Sequence, residues 1–185
     1  FGVQLTFFRN ALAAEISATA PSSSHWRSAH VWMAHFALSD EQGDTFIFRG
    51  VSIADPDKLV AEGQWKPGLF EEIRRWGANT VRLPIHPRAW RSRGQAEYLE
   101  LIDQAVVWAN ALDMYVIIDW HSIGFLASGN YQHPGYVTDR QETLRFWHDI
   151  AYRYQGVPTT ALYELFNEPT TLKDPWGERE WTEWK

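Results

Sequence analysis

The sequence predicts an α/β fold built on a parallel sheet, and three observations carry that prediction. Apolar runs of strand character at 79–85, 115–121 and 161–166 alternate with helical periodicity at 68–76, 98–112 and 139–154. Strands that alternate with helices form parallel sheets with right-handed crossovers. The front half of the middle run, Tyr115-Val116-Ile117-Ile118, is continuously apolar, the pattern of a strand buried on both faces. Polar residues collect where the runs end: Asp55; Arg82 and His86; Asp119 and His121; Asn167 and Glu168. Open doubly wound sheets and closed barrels both place their sites at those carboxyl ends. No Gly-rich phosphate turn follows the first strand, which disfavours the nucleotide-binding version.

A chain of 185 residues with 45% hydrophobic content accommodates one domain with a real core. We assign it to residues 31–185. Residues 1–30 read as a poorly ordered arm or linker, since Ala18–Ser24 holds Pro21 and three serines. The net charge is -6, from 17 basic and 23 acidic residues, with no basic cluster able to track a phosphate backbone, so nucleic acid is not an expected partner. The absence of cysteine removes disulfides and thiolate zinc sites without deciding the compartment. No run approaches the ~18 apolar residues of a membrane span. No signal peptide is visible, because Arg9 and Glu15 interrupt the one candidate apolar region.

Taken in order, Trp32–Leu38 and Thr45–Ile53 read as two strands, and Glu41-Gln42-Gly43-Asp44 between them makes a hairpin. Ala54-Asp55-Pro56 leaves the second through a turn. Leu69, Phe70, Ile73 and Trp76 share one helix face, with Gly77 suited to the left-handed residue beyond the last turn. Strand 79–85 follows. The stripe Leu101, Ile102, Ala105, Val106, Ala109 and Leu112 defines the clearest helix. After strand 115–121, Asp139 and Glu142 form a capping box. Leu144, Trp147, Ala151 and Tyr154 are the expected buried stripe of the helix they start. Strand 161–166 comes next, and Asp174-Pro175 starts a last helix.

Glu168 is the leading candidate for chemistry. It ends the apolar strand Leu162–Phe166 and precedes Pro169. A carboxyl half in an apolar wall is kept protonated and serves as a general acid. A surface turn glutamate would share those three letters, and the preceding alternating series is what strengthens the motif. Asn167 could donate to a sugar hydroxyl or merely cap a turn. Arg82 lies inside a strand fit for burial, so it needs a carboxylate partner, and a structural ion pair is a serious rival to a catalytic role. Asp119 and His121 share one strand face, with Trp120 on the other. His121 could bond substrate or catalytic carboxylates. A metal site on Asp119, His121 and His86 is the rival, but no third ligand stands at recognisable spacing, so neither metal nor cofactor is expected. His25, His30, His35, His133 and His148 read as incidental. Of the 11 Trp, Trp76, Trp108 and Trp147 read as packing. Trp65, Trp90, Phe125 and Tyr131 follow strands, where a sugar platform would lie; Trp65, Trp90 and Trp120 are taken as substrate contacts, with His86 and Asp55.

The ordered set Phe48-Arg49-Gly50-Val51, Asn79-Thr80-Val81-Arg82-Leu83-Pro84, Tyr115-Val116-Ile117-Ile118-Asp119-Trp120-His121 and Phe166-Asn167-Glu168-Pro169 resembles glycoside hydrolase family 5, the cellulase-type retaining glycosidases. The resemblance covers about residues 44–172 and implies a (β/α)8 TIM barrel. It implies that Glu168 is the acid/base, that Asn167 contacts the substrate 2-hydroxyl, and that Arg82 and His121 support the nucleophile. His86, Trp90 and Asp55 fall near cleft positions without a defined role. The implied substrate is a β-linked polysaccharide or oligosaccharide of β-glucan type, and secretion is expected.

The family's nucleophile is a glutamate at the end of strand seven, and this chain ends just after strand four. Such barrels need ~200 residues or more. The expectation is therefore an N-terminal half-barrel of about four β/α units after a β-hairpin, without its nucleophile. Glu178, Glu180 and Glu183 should face away from the strand ends. The alternatives are a carbohydrate-binding or assembly module that pairs with a missing C-terminal half-barrel, and a metal-dependent barrel hydrolase.

Overall fold

The structure, a computed structural model, describes residues 32–34, 37–40 and 42–170. The arm at 1–30 and the helix start at Asp174-Pro175, with Glu178, Glu180 and Glu183, lie outside the described residues.

The expected hairpin of the run 32–38 with the run 45–53 is not formed as read. β1 (Trp32–Ala34) pairs antiparallel with β2 (Ala37–Ser39), so the chain already reverses inside the run read as one strand. Residues 42–44 belong to a second reversal: the Asp40 carboxylate accepts from the amides of Gln42 and Asp44 at 3.0 and 2.9 Å, and Ser39 bridges Thr45. Of the run 45–53 only β3 (Gly50–Ser52) is regular strand. It pairs in parallel with the strand at 80–85 rather than with the hairpin, while Phe46 and Phe48 set their edges against Tyr115.

Asp55-Pro56, read as a turn, opens α1 (Pro56–Ala61): Asp55 caps it by accepting from the Asp57 amide at 2.8 Å, with proline at the first helical position. α2 (Pro67–Arg75) ends before Gly77, whose φ of 87° is the left-handed conformation expected there. β4 (Thr80–Ile85) leads into α3 (Pro87–Arg93), a short helix the sequence reading did not include, and then α4 (Gln95–Ala111). β5 (Tyr115–Trp120) is followed by two short strands, β6 (Ile123–Phe125) and β7 (Asn130–Tyr131). Asp139 caps α5 (Arg140–Tyr154), accepting from the Glu142 amide at 2.7 Å. β8 (Thr160–Glu164) and β9 (Glu168–Pro169) complete the order.

The main sheet is parallel, in the order β3-β4-β5-β8, and a small sheet runs β7-β6-β9 beyond its carboxyl ends. Period-two alternation divides the main strands. Val81, Leu83, Ile85, Val116, Ile118 and Trp120 join the core with Ile102, Ala105 and Val106 of α4 and Phe146 and Ile150 of α5. Each Val, Leu, Ile or Phe among them contributes about 1.5–3 kcal/mol on burial. The opposite parity puts Arg82, Asp119 and Glu164 on the other face, next to one another. The stripe on α5 differs from the expected one: Phe146, Ile150 and Tyr154 are buried while Leu144 is 61% exposed. Phe146 claims the inner face because it stacks on Trp120 at 4.2 Å, which rotates Leu144 outward. Trp76 is likewise exposed, its indole donating to Glu72 at 2.9 Å. No described helix is long and apolar enough to cross a membrane.

Candidate active site

Arg82 is the hub of the strand ends. Its Nε and Nη2 donate to Oε2 and Oε1 of Glu164 at 2.7 and 2.9 Å, a two-point fork. Nη2 also lies 2.7 Å from Asn167 Oδ1 and 2.8 Å from Asp119 Oδ2, and Nη1 is 3.2 Å from Ser52 Oγ. Side chains from β3, β5, β8 and the segment after β8 thus meet on one guanidinium carried by β4. Burial opposes its charge, but the Glu164 hydrogen bond and the charges of Asp119, Glu164 and Glu168 outweigh burial and raise its pKa.

Asp119 is wholly buried. Its Oδ2 takes both Arg82 and His121 Nδ1, the latter at 2.6 Å, and its Oδ1 has no hydrogen-bond partner among the described residues. Burial raises its pKa more than His121 and Arg82 lower it, to about 6. The bond to Asp119 occupies His121 Nδ1 and leaves Nε2 for the cleft. The ring stacks on His86 at 4.9 Å and 23°, and the edge of Tyr136 closes on both. Burial lowers the His86 pKa, with Asp55 opposing and His121, His133 and Lys58 adding to the fall. Among the described residues no three His, Cys, Asp or Glu side chains form a group able to hold a metal ion.

Asn167 and Glu168 leave β8 by bonds to the segment after β5. The Asn167 amide donates to Trp120 O at 3.2 Å and that of Glu168 to Ser122 O at 3.1 Å. Because Arg82 takes Oδ1, the Asn167 side chain is held with Nδ2 as its spare donor. The Glu168 side chain is exposed, while Phe166 is buried in the core. The apolar wall expected from Phe166 therefore does not enclose it among the described residues.

The structure brings Arg82, His121, Asn167 and Glu168 together, with His86 beside them. It places four other expected substrate contacts in packing or bracing positions. Trp120 is wholly buried on the helix side, against Phe146 and Trp90, because its strand parity is that of Ile118. Trp90 is buried against Tyr98 and Phe146. Trp65 packs on Phe70 and Trp108, its indole donating to Gln104 at 2.8 Å. Asp55 is buried as a brace, accepting from the His86 amide and Tyr98 Oη at 2.8 Å each as well as from Asp57. The sequence reading overlooked Glu164, the partner that a guanidinium inside β4 requires. Its signal was a lone carboxyl inside an otherwise apolar strand, at the parity of Leu162.

The sequence profile of cellulase (glycosyl hydrolase family 5) matches residues 39–185. The chain belongs to glycosyl hydrolase family 5. The β-glucanase SdGluc5_26A from Saccharophagus degradans is 49% identical and superposes with a TM-score of 0.85 over 93% of this chain and 52% of that one. Endoglucanase C of Evansella cellulosilytica is 35% identical over 72% of the chain. Endoglucanase A of Butyrivibrio fibrisolvens is 27% identical over 74%. The chain spans about half of that β-glucanase, and 16% and 32% of the two endoglucanases. In family 5 terms, the four-stranded parallel sheet and its helices are part of a (β/α)8 barrel. The face that carries Arg82, Asp119 and Glu164 is the barrel interior, and the polar cluster stands at its carboxyl-terminal mouth.

Proposed function

We propose that this chain supplies the acid/base half of a retaining glycoside hydrolase that cleaves a β-glucan. Support comes from one arrangement: the guanidinium that grips Glu164 also fixes the amide of Asn167, the residue before Glu168. In this reading Glu168 protonates the departing glycosidic oxygen, then deprotonates the water that releases the sugar. Asn167 Nδ2 donates to a hydroxyl of the sugar ring, and His121 and His86 wall the cleft. The endoglucanase and β-glucanase relatives favour a β-glucan, and the Saccharophagus enzyme has been crystallised with cellotetraose. The relative from Xanthomonas campestris is a major extracellular endoglucanase, which favours export for this protein too.

A retaining mechanism needs a second carboxylate ~5–5.5 Å from the first. Glu164 has both oxygens in the Arg82 fork and Asp119 is sealed between Arg82 and His121. The nucleophile therefore comes from outside the described residues.

The test uses the full-length protein that carries this chain. Glu168→Ala should abolish turnover of β-glucan. It should still form a glycosyl-enzyme from a dinitrophenyl glycoside, and azide should restore release as the β-glycosyl azide. β-Glucan turnover within tenfold of the parent would place the acid elsewhere. Retained β-glucan binding with no turnover in the parent protein would make it a binding module.

A further inference from the structure

The geometry points to Gly124 as a positioning residue for Glu168, acting through the β6–β7 hairpin; this rests on the acid/base reading of Glu168. Glu168 lies four residues past the last residue of β8, so the main sheet does not hold it. Its backbone is held instead as β9, in parallel register with β6: Ile123 opposite Glu168 and Gly124 opposite Pro169. Two bonds frame the pair, Glu168 N to Ser122 O at 3.1 Å and Thr170 N to Gly124 O at 2.9 Å. β6 is in turn fixed from its other edge by β7, with Gly124 opposite Tyr131.

Gly124 therefore sits in the middle strand between the proposed acid and the hairpin return. There is no room for a side chain: a Cβ at 124 would lie 2.5 Å from Asn130 O, 2.5 Å from Tyr131 Cδ1 and 2.9 Å from Tyr131 Cα. Two of these three atoms are backbone, so β7 or β6 must move. A strand glycine marks such close approach of two backbones. β7 is the anchored partner. The Tyr131 hydroxyl donates to Thr138 O, Thr138 Oγ1 donates to Glu142 at 2.8 Å at the start of α5, and the Tyr131 ring packs on the main core. Ser122 is buried and donates to Tyr136 O at 2.7 Å. With β7 fixed and β6 held at its start by Ser122, a side chain at 124 displaces β6 from Gly124 onward, and β9 with it through the Thr170 N–Gly124 O bond. Misplacing a catalytic group by ~1 Å costs ~100-fold in rate.

The experiment makes Gly124→Ala and Tyr131→Phe in the full-length protein, beside Glu168→Gln. Gly124→Ala should lower kcat on β-glucan ~30–100-fold with KM within about threefold, and leave formation of the glycosyl-enzyme from a dinitrophenyl glycoside within about threefold, because that leaving group needs no proton. Its amide exchange should quicken at Glu168 and Thr170 but not at Asn167, whose partner is Trp120 O. Unchanged exchange at Glu168 and Thr170, or equal loss on both substrates, overturns the proposal. If Gly124→Ala does not fold, Tyr131→Phe decides, since loosening β7 should produce the same selective loss at smaller size and full activity would overturn it. If Glu168→Gln shows no dependence on the leaving group while exchange at Glu168 quickens, positioning stands and the acid/base reading falls.

Discussion

Arg82 and Glu164 lie on strands that are not neighbours, yet they share a two-point ion pair across β5, at 2.7 and 2.9 Å. The strand between them supplies Asp119, 2.8 Å from the same guanidinium. Three charged groups thus occupy the barrel interior where an apolar layer would otherwise sit. Removing one member of a largely buried pair leaves the others uncompensated.

Arg82→Ala should accordingly lower unfolding free energy by about 3–5 kcal/mol, read from urea denaturation. Arg82→Lys should recover only part of this, because an ammonium cannot reproduce the fork. Destabilisation below about 1 kcal/mol for Arg82→Ala would show the network to be solvated.

Asp119 gives the protein a pH dependence of definite sign. Its pKa rises on folding from 3.8 to about 6, chiefly through burial. Between those values the folded state binds more protons than the unfolded one, so this residue's contribution to stability is complete below about pH 4 and is lost as pH rises through about 6. A shift of this size corresponds to roughly 2–3 kcal/mol. Asp119→Asn should remove that decline, so the difference in unfolding free energy between parent and variant should change across pH 4–7 and be flat above it. A difference independent of pH would refute the assignment.

The 185-residue chain by itself should not hydrolyse β-glucan, since Glu164 and Asp119 are both committed to Arg82. Reducing-sugar release from a soluble β-glucan measures this, with the full-length protein as positive control. Turnover by the purified chain, lost on Glu168→Gln, would mean that a second carboxylate is present within it.

Trp120→Ala should behave as a core mutation. It removes a wholly buried ring stacked on Phe146, and about 3–5 kcal/mol of stability with it. Trp120→Phe should fold and retain affinity for cello-oligosaccharides within a few-fold by calorimetry. A tenfold loss of affinity in a folded Trp120→Phe variant would return this ring to the cleft.

The placement of the candidate residues was largely legible in the chain. Glu168, Asn167, Arg82 and His121 were each marked by a polar group at or inside an apolar strand, and the structure gathers all four. Strand parity already set Trp120 on the face opposite Asp119 and His121, but only the packed helices showed how completely that face buries its ring. Asp55-Pro56 was read as a turn because the same two residues start a helix when a capping bond forms. Leu144 and Phe146 compete for one helix face, and periodicity alone did not say which one would find Trp120.

The sequence by itself determined the alternation of strands and helices, the placement of polar groups at the carboxyl ends and the family, because these depend on short-range pattern. The tertiary structure alone decided what Arg82 is bonded to, which indoles are core, and how Glu168 is held. Those depend on contacts between distant positions: Arg82 with Glu164 across a strand, and Glu168 with Ser122 through a hairpin whose residues carry no catalytic signature.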